Sequence, residues 1–145
     1  MRILLAAALL LPSVGSEAAA ATWYRIGGNR NTVTYIDADS IRRIGPKTTA
    51  LTQSIYAKPI EGTVHAGRIT SEYDCGAGYF RTLEYSYLDA AGTVFGTEAS
   101  ATIDEHKVPA PGSINESTMK FVCTGQGGTL VADPFADARA LFPTL

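Results

Sequence analysis

The sequence predicts an α+β fold: an antiparallel β-sheet with a C-terminal helix packed on one face and one disulfide. Three observations predict it. From Thr22 to Ala99, short β-branched and aromatic runs alternate with Gly- and Pro-containing turns, the pattern of strands joined by hairpins. After Pro109 the apolar repeat lengthens to about 3.6 residues, as a helix requires. The chain also carries two cysteines, Cys75 closing a strand-like run and Cys123 inside the helical stretch. Strands followed by helices favour a sheet with helical packing on one side over an alternating α/β layout.

Each element has its own signal. Thr22–Ile26 is aromatic and β-branched, and Gly27, Gly28 and Asn29 interrupt it. Thr32–Asp37 alternates as a half-buried strand does, with Val33 and Tyr35 on one side and Thr32, Thr34 and Ile36 on the other. The two runs form a hairpin candidate. Residues 39–42 are expected to make at most a helical turn before Gly45 and Pro46. Lys47–Ala57 is threonine-rich and reads as a strand, Lys58–Gly67 as an exposed loop built on Pro59 and Gly62, and Arg68–Cys75 as a strand. Tyr79–Leu88 is the clearest strand: strict alternation places Tyr79, Leu83, Tyr85 and Tyr87 on one face and Thr82, Glu84 and Ser86 on the other. Ala91 and Gly92 turn the chain into a returning strand, Thr93–Ala99.

Ser113 and Glu116 have capping-box spacing, in which side chains satisfy free N–H groups at a helix start. Ile114, Thr118 and Val122 then recur on one stripe with Phe121 beside them, and Gly125–Gly128 supplies a stop and linker. Met119 and Cys123 fall one turn apart at the edge of that stripe. Asp133 before Pro134 is a second helix start, followed by Phe135, Ala138, Leu141 and Phe142.

The first residues carry an address. Arg2 precedes an unbroken apolar run, Ile3–Leu11, and Ala18, Ala19 and Ala20 offer a cleavage site, with a competing one after Ser16. The run is about half of the roughly 20 residues that span a bilayer, so residues 1–20 read as a signal peptide. The mature chain is expected to be exported to the periplasm or cell surface with no membrane span and no lipid-acceptor cysteine. In an oxidising compartment Cys75 and Cys123 pair most simply with each other, a bond worth about 4 kcal/mol on the chain-entropy model.

With 145 residues, 46% hydrophobic and 18% charged, the chain suits one core; residues 21–145 are expected to form a single domain. Its 12 basic and 14 acidic side chains leave a charge of −2, without the basic face of a nucleic-acid binder. Candidate chemistry is sparse. His65 and His106 lie in separate predicted loops, outside any metal-ligand spacing. Glu72 and Asp74 share a strand face and could act as acid and base, yet a solvated strand face explains them as well. Gly125–Gly128 follows a helix, whereas a phosphate loop precedes one. No serine sits in a G-x-S-x-G elbow, and Arg42, Arg43 and Lys47 read as a solvated turn. No catalytic residue, metal or cofactor is expected.

In order along the chain stand Trp23, Tyr35-Ile36-Asp37, Asp39-Ser40-Ile41-Arg42, Tyr73-Asp74-Cys75, Tyr79-Phe80-Arg81, and Pro111-Gly112-Ser113 leading to Cys123. This series resembles the surface-adhesin protein E family, small exported bacterial proteins, over about residues 22–123, with a tail over 124–145. The resemblance implies an antiparallel sheet carrying a helix, a Cys75–Cys123 disulfide and no enzymatic activity. The founding adhesin binds host matrix and serum proteins such as laminin, vitronectin and plasminogen, so a host matrix or envelope protein is the expected partner. Its binding stretches do not map onto the matching motifs, and the binding residues here are unknown. Loops, polar strand faces or an edge strand would serve, the last also pairing two copies as a homodimer. The competing class is a small periplasmic enzyme or ligand carrier, which a concave pocket with converging polar groups would favour.

Overall fold

The computed structural model describes residues 20–145, so the expected signal peptide lies, but for Ala20, outside the described residues. Among them the chain forms β1 (Trp23–Gly28), β2 (Thr32–Ile44), β3 (Lys47–Ile60), β4 (Val64–Asp74), β5 (Tyr79–Leu88), β6 (Val94–Ala99), α1 (Ile114–Thr124), β7 (Thr129–Val131) and α2 (Pro134–Leu141), then a 3-10 turn (Phe142–Thr144). The strands make one antiparallel seven-stranded sheet in the order β6-β5-β4-β3-β2-β1-β7. Each of the first six pairs with its neighbours in sequence. Only β7 returns from far along the chain, to β1.

Register decides which side chains share a face. Val33, Ile55, Ala66 and Leu88 stand opposite one another on four adjacent strands. All are buried, and Ala138 of α2 joins them with Phe135, Leu141 and Phe142 against the cluster. On the other face Ile36, Ala50, Tyr73 and Phe80 pack with Phe121 and Val122 of α1. Burying those two α1 side chains stabilises by about 1.5–3 kcal/mol each. The expected helix therefore lies on one face, and the second, shorter helix covers part of the opposite one.

Helix ends follow their sequence signals. Ser113 Oγ accepts from the Glu116 N–H at 3.2 Å, while the Glu116 carboxylate accepts from Gly112 N–H at 2.7 Å, one residue earlier than a standard box. Gly125 ends α1 at φ 72°, its N–H bonded to Phe121 O. Asp133 Oδ1 caps α2 through the Phe135 and Ala136 N–H groups. Ile114 comes so near β1 that a Cβ on Gly27 would sit 2.7 Å from its Cδ1. The Cys75–Cys123 disulfide, with Cα atoms 5.7 Å apart, ties the end of β4 to the last turn of α1.

Three local expectations are corrected. Residues 39–42 are not a helical turn: β2 continues to Ile44, with an irregularity between Asp37 and Arg42 that sheet pairing tolerates as a bulge. Lys58–Gly67 is not an open loop but the end of a long hairpin, turning at Glu61 and Gly62. In β5, the register shifts around Leu83, because Thr70 faces Glu84 while Ser71 faces Thr82. That extra residue moves Tyr79 to the face opposite Tyr85 and Tyr87 and buries Thr82. The glycines after α1 are the expected stop and linker, and they lead into β7, a strand for which the sequence carries no signal of its own.

Candidate binding surface

α1 rests on β1 to β4, and the face it covers stays open toward β5, β6 and the β3–β4 turn. Two concavities result. Beside α1, a cleft of about 210 Å³ is lined by hydroxyls of Thr34, Thr52, Ser54, Ser71, Thr82 and Thr118. These belong to successive cross-strand rows: Thr34 opposite Ser54, and Ser71 opposite Thr82. Their bonds are largely internal, Thr34 Oγ1 to Ser54 Oγ at 3.0 Å and Thr118 Oγ1 to Ile114 O at 2.7 Å. The cleft is smaller than the roughly 300–1,000 Å³ of common small-molecule sites.

Farther out, a groove of about 470 Å³ lies between the β3–β4 turn and β6. Tyr56, Tyr87 and Phe95 supply aromatic walls, Ile60 an apolar end, and Glu61 and Glu98 the charge. Tyr87 and Gly96 are cross-strand partners, and a bulge between Tyr87 and Leu88 pairs throws Phe95 outward, 54% exposed. The Tyr87 hydroxyl donates to the Glu98 carboxylate, which raises the phenol's pKa. A third concavity, of about 650 Å³, runs along the disulfide past Val108, Pro109, Met119 and Lys120.

The residues singled out for chemistry are placed apart. Glu72 accepts from Arg81 Nε at 3.0 Å, and Asp74 from Lys47 Nζ at 2.9 Å. The Ala77 N–H, and then Lys47, hold the Asp74 carboxyl below its ordinary pKa; Tyr79, and then Asp74, raise that of Lys47. His106 stacks on Tyr79 with ring centroids 4.1 Å apart. His65 lies in β4 rather than in a loop, beside Phe135 and Arg139 of α2. His65 is near the start of β4 and His106 stacks on Tyr79, the partner of Asp74 at the other end of that strand, so roughly 30 Å of strand separates the two. Arg42 and Arg43 are exposed on β2. Among the described residues no group of three or more His, Cys, Asp or Glu gathers as a metal site, and no helix is long and apolar enough to cross a membrane.

The family model described as surface-adhesin protein E matches residues 23–124. The chain belongs to the surface-adhesin protein E family. No curated protein and no solved structure matches it.

In this surface-adhesin E chain the motifs that carry the resemblance mark scaffold positions. Tyr35 and Ile36 are fully buried on opposite faces of β2, Cys75 holds the disulfide, and Ser113 caps α1. The aromatic groove falls inside the matched span but in none of those motifs. Sequence reasoning missed it because Tyr56 and Phe95 come from β3 and β6, brought to one rim by the two strands between. The β5 tyrosines were the available signal, once Tyr79 is removed from their face. The family match ends with α1, so β7 and α2 lie beyond it.

Proposed function

We propose that this chain is an exported envelope protein, with residues 1–20 its signal peptide and residues 21–145 its working unit, that binds a protein partner without catalysis. The observation that carries this reading is the open half of the α1 face: an aromatic groove beside β6, the terminal strand, in a member of an adhesin family. Exposed aromatic side chains with few rotamers are favoured at protein interfaces, and a terminal strand offers unpaired backbone groups to an extended segment. The disulfide suits an oxidising compartment.

The ligand-carrier alternative draws on the hydroxyl-lined cleft. Its small volume and internally paired hydroxyls favour the binding-module reading. Glu72 and Asp74, each held by a cation, suit structural ion pairs better than an acid–base pair.

The test is retention of host matrix proteins and envelope fractions on the immobilised mature chain, with wild type beside Phe95→Ala and Tyr87→Ala. Retention reduced by either substitution is expected. Robust turnover of a small substrate, abolished by changing Glu72, Asp74 or His106, would overturn the reading.

A further inference from the structure

We infer that the groove between the β3–β4 turn and β6 receives a basic side chain, arginine or lysine, from an extended segment of a protein partner laid along β6. This deepens the protein-binding reading and rests on it. The groove's composition selects the charge. Tyr56, Tyr87 and Phe95 are its aromatic lining, Glu61 and Glu98 are its charged residues, and among the described residues no lysine or arginine lines it. Lys58 lies across Tyr56, in a neighbouring groove with Asn31 and Thr32.

A cation over aromatic faces is attracted by the ring quadrupole, and the attraction grows as water is excluded. A guanidinium adds planar stacking and a forked pattern of donors that matches a carboxylate. Glu98 is prepared for that role, since the Tyr87 hydroxyl already bonds its carboxylate and fixes it beside the rings. An anionic side chain would meet two carboxylates and no compensating charge. A neutral aliphatic side chain would leave Glu98 partly desolvated beside it, which costs free energy.

Extended backbone fits the place. Among the described residues β6 pairs only with β5 and ends the sheet, so its outer side can accept another strand. Alternate residues of an added strand point to the α1 face, where the groove lies. The volume of about 470 Å³ admits a long side chain with room for its neighbours.

The experiment is NMR titration of the mature, disulfide-bonded chain with a short Ser/Gly peptide carrying one central arginine. Parallel titrations use the same peptide with citrulline, which keeps the shape and loses the charge, and choline chloride. Saturable shifts at the Tyr87 and Phe95 rings are expected with the arginine peptide, about tenfold weaker binding with citrulline, and similar weakening in Phe95→Ala. Phe95 is more than half exposed, so its removal spares the core; Glu98→Gln is the second variant, checked by an unchanged melting temperature. Equal affinity for the citrulline peptide, shifts confined to other residues, or tighter binding of choline than of the arginine peptide would each overturn the proposal. Matrix and envelope proteins retained by a chain whose groove ignores the arginine peptide would defeat this inference alone. Peptide binding without any retained protein would instead defeat the broader reading.

Discussion

Arg25 Nη1 donates to both carboxylate oxygens of Asp137, at 2.8 and 2.9 Å, and joins β1 to α2 across 112 residues of chain. The Tyr35 hydroxyl donates to the same carboxylate at 2.8 Å, so one acid fastens α2 to two strands. The ion pair is about three-quarters buried, with side-chain exposures of 25% and 23%. Asp137→Ala would leave a guanidinium and a phenol short of partners. It should lower the unfolding free energy by about 2 kcal/mol, seen as a lower urea midpoint at unchanged slope. An unmoved midpoint would mean that apolar contacts alone hold α2.

Alkaline pH should act through Tyr35. Burial, and then the hydrogen bond and charge of Asp137, hold its phenol far above the ordinary value of 10.0. The unfolded phenol ionises near pH 10 while the folded one keeps its proton, so the unfolded state binds fewer protons above that pH. The contribution is full below about pH 10 and is lost progressively as pH rises further. Tyr35→Phe should flatten this alkaline fall in denaturation experiments between pH 9 and 11. An equally steep fall in the variant would move the effect to Tyr73, whose phenol burial pushes up to about 12.

The disulfide closes a sequence separation of 48 residues. Reduction, or Cys123→Ser, should lower the melting temperature by roughly 10 °C, with α1 loosening from its end. Two titratable thiols in folded protein prepared under oxidising conditions would remove this prediction's basis.

Glu61 has φ 51°, the positive-φ non-glycine residue among those described, and Gly62 follows at 75°. With the Thr63 N–H bonded to Ile60 O at 3.2 Å, this is the φ signature of a type I′ turn, which Asn-Gly suits best. Glu61→Asn should stabilise the chain by about 0.5–1 kcal/mol while weakening arginine-peptide binding. A gain in stability with unchanged affinity would place Glu61 outside the site.

How far the sequence reveals this molecule depends on the range of each interaction. Caps are local: Ser113 with Glu116 and Asp133 with Pro134 announce both helices within a few residues. Strand pairing in the meander is also legible, since Tyr79–Leu88 and Lys47–Ala57 carry β-branched and aromatic runs bounded by turns. Bulges are not. One added residue at Leu83 reverses the facing of everything beyond it, and no residue type demands it there. The polar stretch 39–42 stays in β2 because β3 pairs with Arg42 and Arg43 beyond the irregularity, a tertiary contact overriding weak local preference. β7 is only three residues long, too short for a periodic signal, and exists because β1 has a free side. The groove was hidden for the same reason as the bulges: its residues converge only through register.

The order of the strands also governs how the molecule comes together and comes apart. β1 to β6 need only short turns to meet, so the entropy lost in closing each pair is small. The clasp of β7 and α2 must instead travel back over the whole meander, with Trp23 meeting Val131. Until it docks, Val33, Ile55, Ala66 and Leu88 face water on four adjoining strands. A brief release of the clasp would present the same row to proteases and to other nascent chains. The lifetime of the folded protein is then set by how seldom a short terminal segment lets go, however firmly the larger part of the sheet is knit.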